Sequence, residues 1–149
     1  MIVAIDNNVL ISLVSDKVVK DNLETFLQQN NATLLIPTPV MAEFTAYDFN
    51  NRRRQLLSVT HSKVIAGDLD RKAAFICGQL GYDLSKDIYK DRKQKVKVDL
   101  QIVAIAIAYG ADILLSEDTD VIKIAKNLNL ELKVYSRKDI KLGLDLFDE

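Results

Sequence analysis

VDLQIVAIAIAYGADILLSEDTD, residues 98–120, decides the reading of the fold. Ile102, Val103, Ala106 and Ile107 share one helical face, and Ile105 and Ala108 fill most of the rest. A helix apolar nearly all round belongs inside a core, not on a surface. Asp99 opens this run. Gly110 can adopt the left-handed backbone conformation that ends a helix. Residues 112–115 form a short apolar run, the pattern of a central strand. Ser116, Glu117, Asp118, Thr119 and Asp120 follow at once. Open α/β sheets bind ligands beyond the carboxyl ends of their strands. A dense acidic cluster in that position is a candidate site.

The same grammar recurs towards the N-terminus. Residues 2–5 are apolar throughout, as in a strand covered on both faces. Asp6-Asn7-Asn8 follows directly, and Val9, Leu10, Leu13 and Val14 then repeat at helical spacing. Asp6 thus stands at a strand end and beside a helix N-terminus, where a carboxylate can also serve as a cap. Leu23, Phe26 and Leu27 mark a second helix that stops near Asn30 and Asn31. A strand is expected over 33–36. Pro37 and Pro39 announce the next helix, with Val40, Met41, Phe44 and Tyr47 as its apolar stripe and Glu43 beside that stripe.

Residues 50–54 open another helix, backed by Leu56, Leu57 and Val59. An extended segment follows over 61–65. The next helix carries Leu69, Ala73, Ile76, Cys77 and Leu80 and is expected to stop at Gly81. The stretch 83–97 reads as a loop with six Lys or Arg (Lys86, Lys90, Arg92, Lys93, Lys95, Lys97) against three Asp, a candidate phosphate-contacting rim. Val121, Ile122, Ile124 and Ala125 give a last helix, before a strand over 132–135 and a peripheral tail. This alternation predicts an α/β fold with a mainly parallel sheet and helices on both faces.

Composition narrows the function classes. The 149 residues make one expected domain, 1–149. Twenty Lys and Arg against 21 acids leave a net charge of −1, so no bulk field selects a polyanion. The lone Cys77 cannot form an internal disulfide and fits a reducing cytoplasm as a small core residue. His61 has no partner at metal-ligand spacing and reads as a surface or turn residue. No run is long enough to span a membrane. The phosphate-binding glycine motifs are absent, and one His argues against a serine-protease-like triad. Asn8 stands where a phosphoaspartate hydrolase would carry its second Asp.

Asp6 and Asp118 each follow an expected strand, and Asp99 begins the helix leading to the second of these. If those strands are neighbours, the three share one sheet edge, and Glu43 joins them if its helix lies alongside. Two carboxylates about 5 Å apart repel by roughly 3 kcal/mol at an effective dielectric of about 20. Such a cluster must take up protons, spread apart or share a cation. All-oxygen donors favour hard Mg²⁺ or Mn²⁺, and the implied chemistry is metal-assisted phosphodiester hydrolysis.

These residues resemble a known family. IDNNVLI is similar to the opening motif of PIN-domain nucleases, PVMAEF to the second, and VDLQIVAIAIAYGADILLSEDTD to the third and fourth. The acids are spaced by 37, 56 and 19 residues in the family's order, over nearly the whole chain. Size and order are similar to the VapC toxins of toxin–antitoxin pairs. Asn7 replaces the family's usual Thr or Ser, and Leu100 a residue that is often small.

The resemblance implies a PIN-like three-layer α/β/α sandwich. It further implies a Mg²⁺- or Mn²⁺-dependent endoribonuclease, a homodimer, inhibited by a small antitoxin. By that resemblance Asp6, Glu43, Asp99 and Asp118 are the catalytic metal ligands, directly or through water. Asp120 would support them or substitute for one. Asn8 would orient Asp6 or the attacking water, and Arg52, Arg53, Arg54 and Lys93 would contact RNA. Two other readings stand beside it: a non-catalytic PIN-like module that binds RNA or protein, and a small phosphatase or receiver-like domain.

Overall fold

Five short apolar segments pair side by side in the computed structural model, which describes residues 1–48, 50–84 and 93–140. They are β1 (Ile2–Ile5), β2 (Thr33–Pro37), β3 (Val64–Gly67), β4 (Ile113–Leu115) and β5 (Lys133–Tyr135). All pair in parallel, in the order β3-β2-β1-β4-β5. Parallel pairing obliges a crossover between successive strands, and among the described residues these helices provide it: α1 (Asn7–Ser15), α2 (Lys17–Gln29), α3 (Thr38–Ala46), α4 (Arg52–Ser58), α5 (Arg71–Asp83), α6 (Lys93–Ala108) and α7 (Thr119–Asn127). The helices flank the sheet, as the expected three-layer α/β/α sandwich requires. The chain runs outward from β1 through β2 to β3, then returns to lay β4 against the other side of β1. The strand order reverses there, so the crevice between β1 and β4 is the topological switch point of the sheet.

Burial follows the apolar pattern. Val3, Ala4 and Ile5 of β1 and Ile113, Leu114 and Leu115 of β4 are buried, as are Ile102 through Ala106 of α6. The all-round apolar run is therefore a core helix, and it packs against α5. Gly67 shows how close the layers come: a Cβ there would lie 2.8 Å from both Ile105 Cγ2 and Leu35 Cδ1. Gly110 has φ +74° and ends the helix as expected. Two residues on, Asp112 accepts from the Ile2 N–H at 3.0 Å, locking β4 to β1. His61 takes its turn role, with Nδ1 accepting from the Lys63 N–H at 3.1 Å. Half-buried Cys77 packs against the core, and burial pushes its thiol pKa up. Among the described residues, no helix is long and apolar enough to cross a membrane.

Several boundaries differ from those read in the sequence, most by one or two residues. The helix α5 runs through Gly81 to Asp83, because its contact with α6 outweighs the weak propensity of one glycine. A Cβ on Gly81 would come 3.8 Å from Leu100 Cδ1, so the large Leu100 packs over this glycine. The strand β3 starts at Val64 and extends to Gly67. Tyr47 caps α3 and is exposed, outside the stripe it was assigned to. The most consequential shift concerns α6, which begins at Lys93. Residues 93–97 are thus helical, and Asp99 lies in the second turn, not at the start.

Candidate active site

The register of β1 on β4 sets the site. Ile5 pairs with Leu115, so Asp6 and Ser116 are the next residues on two adjacent strands. The Asp6 N–H donates to the Leu115 carbonyl at 2.9 Å. Its side chain is only 5% exposed and is held at both oxygens. Oδ1 accepts from the Asn7 N–H at 2.7 Å, capping α1, and Oδ2 accepts from the Ser116 hydroxyl at 2.7 Å. The same Ser116 Oγ accepts from the Asp118 N–H at 3.0 Å. One buried hydroxyl therefore fixes both acids relative to each other. Nothing in the sequence pattern singles out Ser116; only strand adjacency gives it this place.

A cavity of about 270 Å³ opens at this point, lined by Asp6, Asn8, Glu43, Asp99, Asp118 and Lys95 among others. The four acids singled out in the sequence meet here. Glu43 arrives from α3, which packs against α1 and α6. Asp118 also caps α7, its Oδ1 accepting from the Asp120 N–H at 2.9 Å. Asn8 lines the same cavity. Its Oδ1 accepts from the Glu117 N–H at 3.2 Å and so ties down the β4–α7 loop. Glu117 in turn accepts from Arg137 beyond β5, through the backbone N–H at 2.6 Å and Nε at 3.1 Å.

Lys95 is the residue that sequence reading misplaced. The sequence puts it in the basic rim, yet its ammonium stands inside the acidic cluster. Nζ donates to Asp118 Oδ2 at 2.7 Å, Asp120 Oδ2 at 2.8 Å and Asp99 Oδ2 at 3.2 Å. The early start of α6 explains this. Lys95 and Asp99 are four residues apart on one helix, hence neighbours on its surface. That spacing was the available signal. Of the basic positions expected to contact RNA, Arg52, Arg53 and Arg54 do not line the cavity. Arg53 Nη1 donates to the Phe44 carbonyl at 3.0 Å, and its guanidinium lies 4.9 Å from the Phe44 ring centroid. The backbone N–H groups of Arg53 and Arg54 donate to Asp48. The side chain of Lys93, and Lys86, Lys90 and Arg92, fall outside the described residues.

The electrostatics follow from crowding. Burial pushes the Asp99 pKa up to about 6; the Lys95 charge opposes this, while Asp118 and Asp6 add to it. Asp6 is raised chiefly by burial, against the Ser116 and Asn7 hydrogen bonds. Glu43 is raised by burial and then by the Asp6 charge. Burial pulls the Lys95 ammonium down, but hydrogen bonds to Asp118 and Asp120, with the Asp99 charge, outweigh it and hold it above its ordinary value.

Asp99 therefore binds its proton more tightly folded than unfolded. Its contribution to stability is complete below pH 3.8 and is lost as the pH rises through about 6. In the presence of a chelator, Asp99→Asn should gain melting temperature relative to wild type as pH rises through that window. Parallel melting curves for the two proteins would contradict this.

All-oxygen donors suit a hard divalent ion. The buried Asn7 Oδ1 has no hydrogen-bond partner and its residue lines the same cavity, so one more oxygen is available. The donor chemistry thus fits Mg²⁺ or Mn²⁺. Among the described residues, however, no group of three or more His, Cys, Asp or Glu is arranged to hold a metal ion. Lys95 already holds three of the carboxylates.

No protein-family model matches the sequence, and no curated protein sequence does. Solved structures do match. VapBC2 from Rickettsia felis, bound to a DNA fragment from its promoter, is 23% identical over 91% of this chain and 98% of that one, with a TM-score of 0.66. VapBC-1 from nontypeable Haemophilus influenzae is 19% identical over 93% and 99%, with a TM-score of 0.62. FitAcB from Neisseria gonorrhoeae is 17% identical over 91% and 97%, with a TM-score of 0.57. At these identities the likeness is one of fold: the chain has the PIN-like α/β/α fold found in VapBC structures.

Proposed function

We propose that the protein is a Mg²⁺- or Mn²⁺-dependent endoribonuclease, and the toxin of a toxin–antitoxin pair. The observation that carries this reading is the convergence of Asp6, Glu43, Asp99 and Asp118 on one cavity at the switch point. They come from the end of β1, from α3, from α6 and from the N-cap of α7. In this reading the four acids hold the ion, directly or through water. When bound, it supplies Lewis-acid chemistry for phosphodiester hydrolysis. Ser116 keeps Asp6 and Asp118 at a fixed separation, and Asn8 keeps the β4–α7 loop in place. Asp120 holds Lys95 and can exchange it for the ion. The likeness to VapBC and FitAcB structures supports an antitoxin partner and the nuclease class. A homodimer belongs to the same proposal.

The test is incubation of purified protein with a pool of single-stranded and structured RNA, with Mn²⁺ or with chelator. Internal cleavage with Mn²⁺ alone is expected. An intact pool at neutral pH with Mn²⁺ present would reject the nuclease reading. One observation favours the other reading, a non-catalytic binding module: the acids are already bridged by Lys95. Calorimetry that shows RNA or protein binding but no Mn²⁺ binding would decide for it.

A further inference from the structure

We propose that Lys95 is a tethered counter-cation, which holds the acidic cavity together in the metal-free protein and is displaced when the divalent ion binds. The inference rests on the metal-dependent reading above, and goes beyond it by assigning competition between an internal ammonium and the ion. Three observations carry it. Nζ bridges carboxylates from two elements far apart in sequence: Asp99 of α6, and Asp118 and Asp120 at the start of α7. The two shortest of these contacts are 2.7 and 2.8 Å, the range of a charge-assisted hydrogen bond. Among the described residues, no group of three or more His, Cys, Asp or Glu is arranged to hold a metal ion.

The physical reason is charge. Four carboxylates line one cavity, with one ammonium among them. Without a counter-ion they repel, and α6 and α7 would separate at this edge. A divalent ion at Asp99 and Asp118 does the same work with twice the charge. Ion and ammonium at adjacent positions would repel with double the strength of two unit charges. The Lys95 side chain is 44% exposed and flexible, so it can swing to solvent without disturbing the core. The ion therefore replaces the ammonium instead of joining it.

The test compares Mn²⁺ binding by calorimetry in wild type, Lys95→Met and Lys95→Arg, in full-length protein and one buffer. Lys95→Met should bind Mn²⁺ at least about tenfold more tightly, because no ammonium has to leave. Lys95→Arg, which keeps the charge, should stay near wild type. Without metal, Lys95→Met should melt at a lower temperature than wild type, and saturating Mn²⁺ should close that gap.

A second measurement needs no variant. Amine labelling of wild type, read by mass spectrometry, should increase at Lys95 on adding Mn²⁺ and stay constant at exposed Lys97. Equal Mn²⁺ affinity in wild type and Lys95→Met, or labelling of Lys95 indifferent to Mn²⁺, overturns the competition and leaves the nuclease reading standing. Absence of Mn²⁺ binding in wild type and Lys95→Met alike overturns both.

Discussion

Asp99→Asn is expected to abolish divalent-ion-dependent RNA cleavage while leaving the protein folded. Asp99 is 6% exposed, lines the cavity and sits one helical turn from Lys95. Asn keeps the shape of Asp but removes the charge that a hard cation requires. Loss of a group that only supports a metal ligand costs about 10–100-fold in affinity or activity. A ligand itself should cost at least as much, which would bring cleavage near background.

Stability should not fall in parallel. The Asp99 carboxylate is destabilised by its surroundings near neutral pH, as its raised pKa records, and Lys95 retains Asp118 and Asp120 as partners. Activity within about twofold of wild type, in a variant with normal melting behaviour, would remove Asp99 from the catalytic set. Asp6→Asn is a less clean probe, because Asp6 also caps α1 and receives the Ser116 hydroxyl.

Phe44→Ala is expected to lose about 3–5 kcal/mol of stability, the usual cost of emptying a buried aromatic site. Phe44 is fully buried and follows Glu43 in α3. It is also where Arg53 is anchored, through the ring face and the backbone carbonyl. Truncation therefore opens a cavity beneath the helix that carries Glu43 and removes the ring under Arg53, while the backbone carbonyl contact remains. Denaturant titration with chelator present measures the loss. A change below about 1 kcal/mol would show that α3 is held by other contacts. Arg53→Ala should cost much less, about 0.5–1 kcal/mol from the ring contact. It should leave RNA cleavage intact, since Arg53 is engaged by Phe44 and does not line the cavity.

Much of the site was legible because its acids sit at element boundaries. Asp6 follows an all-apolar strand, and Asp118 follows another. Both positions can be read from a few neighbouring residues, and the structure makes the two strands they follow neighbours. Glu43 was legible through the Pro37–Pro39 helix start, and Asp99 through the apolar run behind it. The start of α6 was not legible. Lys93, Gln94, Lys95 and Lys97 have no strong apolar period, and their charges look like a solvated loop. The helix is extended through them by contacts made elsewhere: Val96 is buried in the core, and Lys95 meets acids 23 and 25 residues away. The surroundings of the basic triplet 52–54 were not legible either: Arg53 meets Phe44, and a charge run carries no information about which group it will face.

The sequence by itself determined the alternation of strands and helices, and the place of each acid at the end of one of them. Hydrophobic periodicity and helix-start chemistry are local, so a few residues suffice to state them. Only the tertiary structure decided that β4 lies against β1, that Ser116 ties Asp6 to Asp118, and that Lys95 enters the acidic cluster. Each of these depends on a pairing between segments far apart in the chain. Such a pairing is chosen by the packing of the whole sheet and its helices, not by the residues on either side of the contact.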